Sequence, residues 1–159
     1  MDRREMLGAF GVAGLGLIAA GATDARAADD QDHHHHMDKA HEDCLKECGE
    51  CAKECNMMAH HCMDKICAGE GPLKVHARAH TMAMDCQAFC VLSATMIARS
   101  SDLMVYSCES CAEACRCCAA ECEKAQDDSV MKACAAKCRE CERSCRQMVK
   151  SMKAKTTAR

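Results

Sequence analysis

Residues Cys44–Cys62 read CLKECGECAKECNMMAHHC, and the cysteines in this stretch recur at intervals of three, four and seven residues. An α-helix places such positions on one face, because it completes a turn in about 3.6 residues. The intervening residues include Lys, Glu and Ala, which favour helices and tolerate solvent. The stretch therefore predicts a long amphipathic helix with one face lined by thiols.

The same spacing occurs in four segments of the chain. A face built from cysteine, with methionine or histidine near its ends, replaces the leucine stripe of an ordinary helical bundle. The predicted stripes are Met37, His41, Cys44, Cys48, Cys51, Cys55, Met58 and Cys62; His76, Ala79, Ala83, Cys86, Cys90, Ser93 and Ile97; Met104, Cys108, Cys111, Cys115, Cys118 and Cys122; and Met131, Cys134, Cys138, Cys141, Cys145, Met148 and Met152. Cys67 and Cys117 fall outside these stripes and have no predicted role.

Short breaks separate the segments, reading GEGP at 69–72, RSSD at 99–102 and QDDS at 126–129. Gly ends helices and Pro suits an early helical position, while Ser and Asp are good N-caps. Short connections make neighbouring helices antiparallel. We therefore predict an all-α, up-down-up-down four-helix bundle over residues 37–153 with a cysteine-lined core, followed by a tail at 154–159.

The composition supports a core of sulfur. The chain has 18 Cys and 13 Met but no Trp, one Tyr and two Phe. Because Leu, Ile and Val are also scarce, Cys, Met and Ala are the abundant residues left to fill an interior. The net charge of −3 and the lack of a basic patch interleaved with aromatics argue against a nucleic-acid partner.

The N-terminus resembles an export signal. Arg3 and Arg4 precede an apolar run over residues 7–22, and residues 25–27 read ARA, a small-x-small cleavage site. We predict a twin-arginine signal peptide at 1–27 and a flexible His-rich tail at 28–36. The mature protein would then be periplasmic and have no membrane association.

Three interpretations of the cysteines compete. In the first interpretation, the buried cysteines act only as small hydrophobic residues. Such a bundle would be underpacked, because Cys is smaller than Leu. A disulfide-reinforced structural or interaction protein remains an alternative, since export and an even Cys count favour it, although cross-helix disulfides need matched geometry at every level. The third interpretation is a thiolate-lined metal store, in which Cys pairs at i and i+4 converge on one metal from a single helix.

The ligand type favours Cu(I) as the stored metal, with several ions per chain. Thiolates and thioethers select soft metals, and Cu(I) accepts two or three sulfurs that can bridge between ions. Each Cu(I) also offsets one thiolate, so that a buried cluster stays near neutral. Another soft metal such as zinc remains an alternative, and the pattern contains no constellation that indicates an enzyme.

Sixteen cysteines form the predicted metal-ligand set. They are Cys44, Cys48, Cys51, Cys55, Cys62, Cys86, Cys90, Cys108, Cys111, Cys115, Cys118, Cys122, Cys134, Cys138, Cys141 and Cys145. Met58, His76, His80 and Met84 are added as weaker, exchangeable ligands at the bundle end where the first helix meets the second. We predict that copper enters there, and the opposite end, with Met37, His41, Met104, Met148 and Met152, is the rival.

Residues 37–152 resemble the bacterial copper storage proteins, which are Cys-rich four-helix bundles that hold Cu(I) along their core. The resemblance is carried by the repeated C-x3-C pairs, above all Cys111/Cys115/Cys118/Cys122 and Cys134/Cys138/Cys141/Cys145. The export signal makes the chain similar to the exported members. The resemblance implies assembly as a homo-tetramer and exchange of copper with unknown donor or acceptor proteins.

Overall fold

Four helices form from the four cysteine segments, as predicted. The computed structural model describes residues 37–125 and 127–157, with side chains up to Lys155; the predicted export signal and His-rich tail lie outside this part of the chain. The helices are α1 (Lys39–Ala68), α2 (Leu73–Ala98), α3 (Met104–Cys122) and α4 (Ser129–Thr157). Each helix packs against two others, α1 against α2 and α4, and α3 against α2 and α4, which gives a four-helix bundle.

The sulfur contacts show how the helices run. Cys44 near the start of α1 lies 3.7 Å from Cys145 towards the end of α4, measured between Sγ atoms, whereas Cys55 further along α1 lies 3.8 Å from Cys138. As the residue number increases along α1, the residue number of the contacting cysteine on α4 decreases, so these helices are antiparallel. The same relation joins α2 to α3, through the pairs Cys90–Cys111 and Cys86–Cys115.

The first connection ends α1, and the third starts α4, as their sequences predict. Gly69 caps α1 in the left-handed conformation, with φ of 69°, which glycine adopts without strain. Pro72 stands immediately before α2 rather than inside its first turn. Asp128 precedes α4, and its Oδ1 accepts hydrogen bonds from the backbone N–H groups of Val130 and Met131, each at 3.0 Å.

The second connection differs from its prediction. Helix α3 begins at Met104, after Leu103, and no side chain caps it. The Ser101 Oγ accepts a hydrogen bond from the Leu103 N–H at 3.3 Å, which closes a turn before the helix instead of capping its first turn. The N-cap prediction for residues 99–102 is therefore wrong.

Helix α4 continues to Thr157, beyond the boundary at 153 that the sequence suggested. Lys153 pairs with Glu109 on α3, and Lys155 pairs with Asp38, so both lysines tie this last turn to neighbouring helices. Asp38 also caps α1 by accepting the His41 N–H. The Lys155 ammonium and the His41 hydrogen bond hold the pKa of the Asp38 carboxyl well below its usual range.

The core runs along the whole bundle and is built mostly from cysteine. Its largest fully buried side chains are Met58, Ile97, Met131, Met148 and His76, and alanines fill the narrower gaps. This agrees with the prediction that Cys, Met and Ala replace the usual aliphatic interior. Within the described residues α2 is the one helix whose length and hydropathy would also suit a membrane span, and its inward stripe belongs to this core.

Candidate metal centre

Sixteen of the 18 thiols lie inside the bundle. All the cysteines on the predicted stripes are completely buried, whereas Cys67 is exposed and Cys117 is partly buried. Each of the 18 is a free thiol. The stripes meet along the bundle axis because each helix turns its cysteine face inward, so that residues far apart in sequence become neighbours.

The thiols converge in groups of four whose Sγ atoms all lie within 4.8 Å of one another. Three of these groups share no residue, and each draws its ligands from three helices. We name them by their first member: the Cys48 set is Cys48, Cys111, Cys141 and Cys145; the Cys51 set is Cys51, Cys86, Cys90 and Cys115; and the Cys55 set is Cys55, Cys118, Cys134 and Cys138.

Further groups overlap these three and make the thiol column continuous. One joins the Cys51 set to the Cys55 set and another joins the Cys48 set to the Cys51 set. The bridging groups are Cys51, Cys55, Cys86 and Cys138, and Cys90, Cys111, Cys115 and Cys141. A sulfur that belongs to two groups can bridge two metal ions, so the column suits many ions better than isolated single sites.

The pKa values of the buried thiols shift in opposite directions. Burial raises the pKa of Cys62 to about 11, which keeps this thiol protonated at neutral pH in the metal-free protein. A hydrogen bond with Cys118 raises the pKa of Cys134, but those with Cys122 and Cys138 outweigh it and lower the value to about 6. Because metal ligands must be thiolates, uptake of metal releases protons from thiols such as Cys62.

Non-thiolate ligands gather where α1 ends, α2 begins, α3 ends and α4 begins, which we call the mouth end. Met58 is fully buried, and its Sδ lies 3.2 Å from the Cys62 Sγ. His76 is also buried, and its Nδ1 has no hydrogen-bond partner within the described part of the chain. A cavity of about 310 Å³, lined by His76, Pro72 and Asp128 among others, leads from the surface to the imidazole ring of His76.

A hydrogen bond between a histidine and an aspartate closes one side of the mouth end. The His61 Nε2 lies 2.7 Å from Oδ2 of Asp128, which joins the end of α1 to the N-cap of α4. Burial raises the pKa of Asp128, but the hydrogen bonds from His61 and from the Met131 N–H hold it below its usual value. The His61 ring also stacks edge-on against His76, with ring centroids 6.0 Å apart.

The opposite end carries methionines above its outermost thiols. Met148 is fully buried and Met104 nearly so, while Met37 and Met152 pack on the core from outside. His41 is held by Asp38, whose Oδ1 lies 2.6 Å from the His41 Nδ1. This end therefore has thioethers, and its histidine is already engaged on one nitrogen.

Two of the four predicted weak ligands depart from the stripe. Met84 follows Ala83 directly, which turns it about 100° away from the buried face of α2, and it is 46% exposed. The structure therefore does not bring Met84 to the core. His80 is half-buried, and its Nδ1 lies 3.0 Å from the Ala59 carbonyl oxygen, so it braces α2 against α1.

Sequence reasoning placed Ser93 on the inward stripe but missed two polar features, the contact between Asp128 and His61 and the unpartnered hydroxyl of Ser93. Asp128 was expected only as a possible cap, and its contact with His61 depends on a pairing of helix ends that spacing alone does not reveal. Ser93 is fully buried on the α2 stripe, and its Oγ has no hydrogen-bond partner among the described residues. A serine at a stripe position otherwise held by cysteine was the available signal for the second feature.

A column of buried thiols inside a helical bundle defines a metal-thiolate storage protein, and comparison with known proteins agrees. The sequence profile of the copper storage protein family matches residues 30–150, and the chain belongs to this family. No curated protein sequence matches the chain.

Solved structures of copper storage proteins are similar to this bundle. The Cu(I)-bound copper storage protein BsCsp3 is 28% identical, with a TM-score of 0.62, over 70% of this chain and 99% of its own. Apo copper storage protein 3 from Bacillus subtilis is 28% identical, with a TM-score of 0.59, over 68% and 97%. A mutant of Ccsp from Streptomyces lividans is 26% identical, with a TM-score of 0.62, over 69% and 92%. These matches confirm the four-helix bundle and the predicted family.

Proposed function

We propose that this protein stores Cu(I) on its 16 buried cysteines and exchanges the ions through the mouth end. The observation that carries the proposal is the continuous column of fully buried thiols, whose closest Sγ atoms are 3.5 Å apart. Each Cu(I) that binds replaces a thiol proton and offsets one thiolate, so a filled core carries little net charge. Storage, rather than catalysis, is the role that such a closed and repetitive site supports.

The thiol geometry favours storage over a disulfide scaffold. A disulfide needs an S–S distance of about 2.05 Å and a defined orientation of both Cβ atoms. In this core a single sulfur has several neighbours at similar distances, as Cys115 has in Cys86, Cys90 and Cys51 at 3.5, 3.8 and 3.9 Å. Such shared contacts suit bridging thiolates and offer no preferred pairing for a covalent bond.

Copper exchange at the mouth end is supported by the donors found there. His76 offers a buried ring nitrogen without a protein partner, and Met58 offers a thioether beside Cys62. These ligands hold Cu(I) less tightly than bridging thiolates, so an ion can pass from the 310 Å³ cavity to the column.

Loading kinetics test the route. Met58→Leu, His76→Ala and His80→Ala combined should slow Cu(I) uptake and removal while leaving the total capacity nearly unchanged, because no thiol is lost. Met84→Leu is the matched control, since Met84 lies on the outer surface of the same helix, and it should load at the wild-type rate. Unchanged kinetics in the combined variant, with slow loading after Met104→Leu and Met148→Leu, would place the route at the opposite end.

Export to the periplasm completes the proposal and is supported by residues 1–27 of the sequence. The twin-arginine route carries folded proteins, so the thiols can fold in a reducing cytoplasm before they reach an oxidising compartment. Fractionation of cells that express the wild type and the Arg3→Lys/Arg4→Lys variant tests this. The wild type should be periplasmic and the variant should be retained.

Assembly as a homo-tetramer is supported by the resemblance and by an apolar outer face on α2. Met84, Val91 and Leu92 are each more than 40% exposed on that helix. Light scattering coupled to size exclusion should give the mass of four chains, and Leu92→Lys should lower it. A wild-type mass equal to one chain would contradict assembly without affecting storage.

A further inference from the structure

The metal-free core is arranged in a way that Cu(I) storage alone does not require. Twelve of its 16 thiols form the Cys48, Cys51 and Cys55 sets, which share no residue, and each set has four mutually close sulfurs. Cu(I) binds with two or three sulfurs, whereas four converging thiolates are the ligand set of a structural zinc site. We infer that the apo core also offers three separate tetrathiolate sites for a soft divalent cation, of which Zn²⁺ is the common example.

The sulfur spacing fits such an ion. Tetrahedral coordination with Zn–S bonds of about 2.3 Å gives S···S edges of about 3.8 Å. The Cys51 set comes closest to this geometry, since four of its edges bracket that length. They are Cys86–Cys115 at 3.5 Å, Cys90–Cys115 at 3.8 Å, Cys51–Cys115 at 3.9 Å and Cys86–Cys90 at 4.0 Å.

The other two sets need only small adjustments. In the Cys48 set, Cys48 lies 3.6 Å from Cys145 and 3.8 Å from Cys141. In the Cys55 set, Cys138 lies 3.8 Å from Cys55 and 4.0 Å from Cys134. All remaining edges are within 4.8 Å, so contraction by about 1 Å or less closes each tetrahedron around an ion of that size.

The net charge of the filled core determines which of the two metals displaces the other. Four thiolates and one divalent cation leave a charge of −2 in each buried set, and a buried charge without a partner is costly. Cu(I), which brings one positive charge for each thiolate, removes that charge. The four-sulfur geometry lets divalent ions occupy the three sets when Cu(I) is absent, and the charge balance then lets Cu(I) expel them while taking over the same sulfurs.

Occupied sets would also protect the thiols. A zinc-bound thiolate has lower nucleophilicity towards oxidants and disulfides than a free one, because its electron pair is engaged. The divalent ions thus act as placeholders that keep the column ready for copper. This inference shares its thiols with the proposed storage function but makes a separate claim, because a core can take up Cu(I) and still reject Zn²⁺.

Titration of the reduced, metal-free full chain with Zn²⁺ against a chromogenic chelator tests the inference. Binding should saturate at three ions per chain, and Co²⁺ used in its place should give the visible spectrum of tetrahedral thiolate coordination. Added Cu(I) should release all three zinc ions. Absence of tight Zn²⁺ binding, or saturation well away from three, would overturn the inference, while a separate Cu(I) titration reports on storage.

Variants assign the ions to their sets. Cys86→Ser/Cys90→Ser disables the Cys51 set and Cys134→Ser/Cys138→Ser disables the Cys55 set, so each should bind two zinc ions instead of three. Cys67→Ser is the control, since Cys67 is an exposed cysteine off the stripes and outside all three sets, and it should still bind three. Three ions in both double variants, with helix content intact by circular dichroism, would refute the assignment.

Discussion

Replacing Asp128 tests how the mouth end is held together. This carboxylate makes two kinds of contact, since Oδ1 caps α4 through two backbone N–H groups and Oδ2 pairs with His61 on α1. Loss of an N-cap costs about 1 kcal/mol. Loss of a partly buried, charge-assisted hydrogen bond costs about 1 kcal/mol more. Asp128→Ala should therefore lower the free energy of unfolding by about 2 kcal/mol.

The matched variant Asp128→Asn separates the two contributions. Asn is as good an N-cap as Asp, so this variant keeps the cap and loses only the charge opposite His61, which costs less than about 1 kcal/mol. Urea unfolding of the reduced, metal-free protein at pH 7, followed by circular dichroism, gives both values. Copper capacity should be unchanged in both variants, because neither removes a thiol.

The pH dependence gives a further check on Asp128. Its pKa is lowered in the folded protein, so its contribution to stability is present above the unfolded pKa, near 3.8, and is lost as the pH falls through the folded value. The difference between wild type and Asp128→Ala should accordingly shrink in acid. This account of the mouth end would be refuted if wild type and Asp128→Ala had the same free energy of unfolding at pH 7. It would also be refuted if the Ala and Asn variants lost the same amount of that free energy.

Three other predictions concern the thiols. A thiol assay of freshly isolated metal-free protein should find most of the 18 cysteines free, and nearly complete oxidation would favour the disulfide scaffold. Cu(I) should raise the melting temperature, because it binds the folded form and the aliphatic core is thin, so equal melting temperatures with and without Cu(I) would contradict the storage core. The metal-free protein should lose stability as the pH rises from 9 through about 11, because the raised pKa of Cys62 makes its buried thiol costly to ionise. The Cys62→Ala variant should show a smaller decline. An identical pH profile in the variant would contradict this role of Cys62.

The sequence contained enough information to predict which residues are buried. Cysteines spaced by three and four residues must share a helix face, and a chain with so few aliphatic residues has only that face to bury. The same spacing left Cys67 and Cys117 off the stripes, and both have at least partial solvent access in the structure. Gly69 and Asp128 marked helix ends through local effects, the left-handed backbone of Gly69 and the side-chain cap of Asp128.

The relative positions of the helices along the bundle axis were harder to predict. Which thiols converge depends on how far each helix slides along its neighbour, and this is set by loop geometry and packing together. The Cys51 set, which combines residues of α1, α2 and α3, could not be read from spacing within one helix. Met84 was grouped with the mouth ligands because it lies near them in sequence, but one residue along a helix is a rotation of about 100°.

A Cu(I) titration of reduced protein against a competing chelator, with the free thiols counted beforehand, tests the central claim most directly. If the 16 buried cysteines form one shared thiolate core, the protein should bind roughly one Cu(I) per core cysteine, on the order of 16 per chain. Saturation at about four or fewer ions would instead indicate discrete sites of the zinc or chaperone type and would contradict storage in the core.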